Sequence, residues 1–119
     1  MKVTSFLCAS WMLAVAGSAT ATELQPQKGE VTVRTEKYPR LPYSEATYFI
    51  YERDGQTICT KLAVCDKFDA CDTEYHAGSY KAAADTSKGD PYSATPKALI
   101  APEKLRKHMC LTKFVHDLP

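Results

Sequence analysis

Asparagine is absent from the 119 residues. N-glycosylation is therefore excluded, and one common active-site amide is missing. No G-x-S-x-G, H-E-x-x-H, P-loop or dinucleotide fingerprint occurs. That removes the local signatures of α/β hydrolases, zinc proteases and nucleotide-binding enzymes. A basic excess is lacking too. Lys plus Arg number 15 against 14 Asp plus Glu, and setting aside Lys2 with the leader described below leaves 14 against 14. Nucleic acid is not expected as a partner of so neutral a chain. There is no internal repeat and no low-complexity tract. The length allows one small domain, too little for a two-domain enzyme or an eightfold βα barrel. Apolar residues make up 45%, ordinary for a folded protein and too many for a disordered one.

Long apolar runs are also scarce. The clearest, residues 6–16, is too short to span a bilayer as a helix. Lys2 precedes it and the small-x-small triplet Ala19-Thr20-Ala21 follows it. Residues 1–21 thus read as a secretory signal peptide cleaved before Thr22. The mature chain is expected to be secreted and extracellular, with the bacterial periplasm also open, and to carry no membrane span.

Export sets the reading of the cysteines. Cys8 leaves with the leader, and Cys59, Cys65, Cys71 and Cys110 remain. An even number in a short exported chain reads as two disulfides. If 56–64 is a strand, Cys59 and Cys65 stand roughly 20 Å apart at strand rise, beyond disulfide reach. Two pairings remain. Cys65–Cys71 with Cys59–Cys110 is preferred, and Cys59–Cys71 with Cys65–Cys110 is the alternative. The C-x5-C-x5-C spacing has no close pair of the kind zinc modules use. No metal or cofactor is implied.

Residues 22–42 read as an extended N-terminal arm, within which 31–35 (VTVRT) alternates like a short strand. Residues 43–119 then form the disulfide-stapled globular domain. Its strongest local signal is a hairpin. Residues 46–52 (ATYFIYE) and 56–64 (QTICTKLAV) flank a turn containing Asp54-Gly55. Both faces of the first strand are apolar, so it should be central. Acid-rich 66–74 reads as a loop, 80–84 as one helical turn and 85–92 as an exposed loop. Pro102 opens a helix to about His108, and 109–115 (MCLTKFV) reads as a final strand. The expected class is α+β: a small antiparallel sheet, one or two short helices and two disulfides. An all-β sandwich is the alternative.

Candidate chemistry is sparse. His76 near Glu74, or His116 beside Asp117, would supply the histidine–carboxylate couple of a small ribonuclease-type hydrolase. The ordinary reading is a surface histidine, and His108 fits a cation-rich helix end. Asp66, Asp69, Asp72 and Glu74 lack the glycine and spacing of a calcium loop and read as solvated. Residues 66–74 carry four acids and Lys67, whereas 97–113 carry five cations and Glu103. Tyr48 and Tyr51 on the hairpin, and Lys104, Arg106 and Lys107 on the basic helix, are therefore the candidate binding residues. A disulfide-closed 65–71 loop as the tip of a toxin or inhibitor is a third possibility.

The leader, a mature chain near a hundred residues, few even-numbered cysteines and no enzymatic signature together resemble the small secreted effectors of plant-pathogenic fungi. The hairpin YFIYERDGQTIC and the late cysteine heading a final strand, Cys110-Leu111-Thr112-Lys113, are similar to the compact β-sandwich effectors, with two additional cysteines and a helix before the last strand. The resemblance implies a virulence protein that binds a host or partner protein and has no catalysis of its own.

Overall fold

The computed structural model describes residues 24–40, 44–87 and 89–114. The signal peptide expected over residues 1–21 and His116 lie outside them. Among the described residues, six strands form an antiparallel sheet: β1 (Val31–Arg40), β2 (Ser44–Arg53), β3 (Gln56–Asp66), β4 (Cys71–Ala77), β5 (Ser93–Ala94) and β6 (Ala98–Leu99). The spatial order is β4-β3-β2-β1-β5, with β6 also on β1. Two short helices, α1 (Ala83–Thr86) and α2 (Met109–Phe114), and a 3-10 helix (Pro102–Lys107) complete the fold.

The β2–β3 hairpin forms where expected. Arg53 pairs with Gln56 across Asp54 and Gly55. Both turn residues have positive φ, 53° and 79°, the type I′ geometry whose twist suits a two-residue hairpin. Ile58 is the extra residue of a bulge, since Tyr51 pairs with Cys59 and Glu52 with Thr57. β2 is central, in keeping with its two apolar faces.

The arm expected over 22–42 gives way to β1, which pairs with β2 along ten register positions. Val31, Thr32 and Tyr38 on it are buried. Pro39 by itself argues against a strand. Here odd-numbered β1 residues direct their backbone groups away from β2, because Val31, Thr35 and Lys37 accept from Ile100, Thr95 and Tyr92. Pro39 thus interrupts no β1–β2 bond, and it lies beyond the last β5 pair at Lys37. β5 and β6 together form a broken edge strand. Its register shifts by one residue around Pro96, from Glu36↔Ala94 to Thr32↔Leu99. A proline and a register break blunt this edge against further pairing.

Three other expectations are corrected. The acidic segment is a loop only to Ala70. From Cys71 it is strand β4, paired with β3 from Cys65↔Cys71 to Cys59↔Ala77. Residues 109–114 are helical, not a final strand. Cys110 and Leu111 are both fully buried and Phe114 is partly so. That spacing fits one face of a helix, whereas a strand would send Cys110 and Leu111 to opposite sides. The residues after Pro102 form a 3-10 helix that buries only Leu105.

Side-chain alternation along β2 divides the core. Ala46, Tyr48 and Ile50 join Tyr38 and Leu62 on the face covered by 78–87. Tyr51 joins Val31, Cys59, Ile100, Leu105, Cys110 and Leu111 on the face covered by the C-terminal helices. Both disulfides follow the preferred pairing. Cys59–Cys110 pins α2 to β3 with Cα atoms 6.3 Å apart. Cys65–Cys71 joins directly opposed residues at the β3–β4 turn, with Cα atoms 4.0 Å apart. Among the described residues, no helix is long and apolar enough to cross a membrane.

Candidate functional site

The sheet carries a cleft on its α1 face, a groove on its α2 face and a free edge at β4. The cleft is about 350 Å³ and is lined by Arg34, Ile50, Thr57, Thr60, Ser79, Tyr80 and Lys81. Even-numbered β1 side chains reach this face. Glu36 accepts from Arg34 at 2.5 Å and from Tyr38 at 2.9 Å, and it also pairs with Lys81. Lys81 donates to the Tyr38 hydroxyl at 2.9 Å. Burial alone would raise the Glu36 pKa. Hydrogen bonds from Lys81, Arg34 and Tyr38 outweigh it and hold the group at about 2.

That depression has a stability consequence of definite sign. A carboxyl with a folded pKa below its unfolded one stabilises fully above the unfolded value, and the contribution is lost as pH falls through the folded one. The window for Glu36 runs from 4.5 down to about 2. Urea midpoints of the wild type are expected to drop across that window. Glu36→Gln should show a smaller drop, and an equal one would deny Glu36 the role.

Farther along the same face Asp85 is fully buried. Arg40 donates to both its oxygens, at 2.6 and 2.9 Å, and the Tyr48 hydroxyl donates to Oδ2. The Ala82 amide donates to the same hydroxyl at 3.0 Å. Burial, with the Asp85 bond second, pushes the Tyr48 phenol up to about 12. Asp85 reads from the sequence as part of an exposed loop, and it is instead the residue that fastens the α1 segment to the sheet. A lone Asp after an Ala-rich turn carries no local sign of its partner Arg40, so the sequence gives no warning of this role.

Tyr48 and Tyr51, expected as binding residues, are buried at 0% and 3% exposure, and of the two Tyr51 reaches the wall of the groove on the α2 face. An alternating strand with two covered faces buries its aromatics whichever way they point. Lys104, Arg106 and Lys107 are exposed around buried Leu105. They remain available on the surface, but none of them lines the cleft or the groove. Of the catalytic candidates, His76 does meet its carboxylate. Its Nε2 lies 2.9 Å from Glu74 Oε1, because residues two apart on a strand share a face. Its ring stacks on Tyr80 with centroids 3.6 Å apart, at the rim of the cleft.

The β4 edge is the most regular open feature. At its two ends, Gly78 donates to Ile58 and Asp66 to Ala70. The alternation of an antiparallel ladder then points the backbone groups of even-numbered β4 residues at β3 and those of Thr73 and Tyr75 outward. Among the described residues, no strand pairs with that outer side. Asp72 and Glu74 stand exposed along it. In the adjoining turn Asp66 accepts from the Phe68 and Ala70 amides, and Asp69 takes positive φ. Phe68 is 78% exposed at the tip. No cluster of three or more potential metal ligands occurs among the described residues.

No protein-family model, curated protein or solved structure matches the chain.

Proposed function

We propose that this is a secreted, effector-like α+β protein that binds a host or partner protein by accepting an extended segment onto the β4 edge. The observation that carries the reading is the unpaired outer side of β4, whose backbone donors and acceptors are those used in strand addition. Long edges of this kind are normally blunted. The opposite edge is, by Pro96 and its register break, whereas β4 carries neither. The Cys65–Cys71 disulfide fastens the start of β4 to β3, and rigidity lowers the ordering cost of binding.

The test exploits the ladder's alternation. Thr73→Pro removes one outward N–H without touching a β3–β4 bond, so it should fold normally. Oxidised mature protein should capture a specific partner from plant host tissue extract, and Thr73→Pro should lose it. Equal capture by the variant would remove the edge from the proposal. No partner from a folded sample would remove binding itself.

One observation favours a second reading. The His76–Glu74 couple on the cleft rim is arranged as a general base and its orienting carboxylate would be. Hydrolysis of RNA, glycan or peptide that disappears in His76→Ala would replace the binding proposal with a hydrolytic one.

A further inference from the structure

The groove on the α2 face has a composition that the strand-addition reading leaves unused. It measures about 530 Å³ and lies between the sheet, the β5–β6 connection and the junction of the two C-terminal helices. That volume falls within the range of small-ligand sites. Its walls are largely apolar: Val33, Phe49, Tyr51, Pro96 and Ala98. The polar groups facing it are mostly committed. Thr35 and Thr95 bond each other through their hydroxyls at 2.9 Å, and Lys97 pairs with Glu52 at 3.1 Å. The Tyr51 hydroxyl lies 3.4 Å from His108 Nδ1.

Lys61 is the exception. Its ammonium lies over the Phe49 ring, 4.8 Å from the centroid. Among the described residues no carboxylate lies within ion-pair distance of it. No acidic side chain among the described residues lines the groove. His108 adds no competing negative charge, and burial, followed by the nearby Lys61 charge, lowers its pKa. A cation with an apolar wall and no counter-ion matches one ligand class. It can take a carboxylate while the ligand's apolar body covers Phe49 and Pro96.

We propose that this groove binds a small monocarboxylate with an apolar body, its carboxylate on Lys61. The site is independent of the β4 edge, because it opens on the sheet face and uses no β4 residue. No bond is made or broken. The ligand is held by one charge-assisted contact and by burial of its apolar part.

The experiment is a titration of the oxidised mature protein with 3-phenylpropionate, followed by amide and ring resonances of Phe49, Lys61, Ala98 and His108. 3-Phenylpropionamide serves as the uncharged comparison. The acid is expected to shift these resonances saturably. The amide, and the acid with Lys61→Gln, should bind about ten- to a hundredfold more weakly, the worth of a charge-assisted hydrogen bond. Lys61 is half-buried on β3, and Lys61→Gln should keep the wild-type fold, which the unperturbed α1-face resonances would report. A second variant, Ala98→Phe, should block the acid by filling the groove while leaving Lys61 in place. Equal binding of acid and amide, or an undiminished affinity in Lys61→Gln, would overturn the assignment, as would shifts confined to Lys104 and Arg106. Thr73→Pro is expected to bind the acid normally, so failure of the groove and failure of the edge are told apart.

Discussion

Asp85→Ala is expected to lower the unfolding free energy by about 3 kcal/mol, towards the lower end of the cost of removing one member of a buried ion pair. Two groups lose their partner at once. The Arg40 guanidinium loses both bonds, and the Tyr48 hydroxyl loses its acceptor inside the core. Arg40 retains 28% side-chain exposure and can recover some hydration, whereas Tyr48 is fully buried and cannot. Asp85→Asn keeps an acceptor in place and should cost less, about 1–2 kcal/mol. Arg40→Ala should be at least as damaging as Asp85→Ala, since it leaves a carboxylate in the core without its counter-ion. Urea unfolding of the four proteins measures the order directly. Parity of Asp85→Ala with wild type would mean that α1 is not fastened through this residue.

The same triad has a pH signature. Hydrogen bonds from Arg40, opposed by burial and helped by Tyr48, lower the Asp85 pKa. Its contribution is therefore complete above the unfolded value near 3.8 and is lost as pH falls through the lower folded value. It adds to the loss from Glu36 in the same acid range, so Asp85→Ala should flatten the acid limb of the stability profile as well as lower its plateau. Detachment of α1 would also open the cleft of Tyr80 and Lys81, since that segment is held to β1 and β2 through Asp85.

Local chemistry makes the hairpin and the staples legible. Asp54-Gly55 specifies its own turn, and disulfide reach eliminates one cysteine pairing from spacing alone. The preferred pairing is the one observed. The features hidden from the sequence depend on partners far along the chain. β4 reads as a loop because Asp72 and Glu74 are polar, yet an edge strand with one solvated face tolerates acids on that face. The continuation of β1 through Pro39 is hidden because which side of β1 bonds to β2 is not written in the residue. Tyr48 and Tyr51 read as surface aromatics because the segments that cover them, around Ala82 and His108, lie 34 and 57 residues away. The candidate site divides in the same way. His76 and Glu74 are visible as a pair from their proximity in the sequence, and the strand that puts them on one face is not. The Lys61 groove needs several separate elements to close and has no trace in any short window.

The Cys59–Cys110 bridge is expected to matter most of all. It closes a loop of 51 residues, and the chain-entropy relation assigns such a closure about 4 kcal/mol. The Cys65–Cys71 bridge spans only 6, for about 2 kcal/mol by the same relation. The double variant Cys59→Ala/Cys110→Ala should therefore lower the urea midpoint roughly twice as far as Cys65→Ala/Cys71→Ala. Position reinforces length. Cys59 and Cys110 are both fully buried, and Leu105 and Leu111 beside them belong to the same core. The helices are too short to persist alone, six residues each. Without the bridge, that small apolar cluster is what holds them on β3 among the described residues, so the α2 face should loosen first. Hydrogen exchange would locate the effect. Accelerated exchange at Leu111 and Thr112, with β2 protected, is expected in Cys59→Ala/Cys110→Ala, and uniform acceleration across the sheet would show instead that the bridge supports the whole domain. The two staples then have separable consequences. The shorter one holds the β3–β4 turn and with it the edge proposed for partner binding. The longer one holds the two C-terminal helices whose junction residue, His108, lines the Lys61 groove, and reducing it should weaken carboxylate binding there even in a chain whose β4 edge still captures its partner.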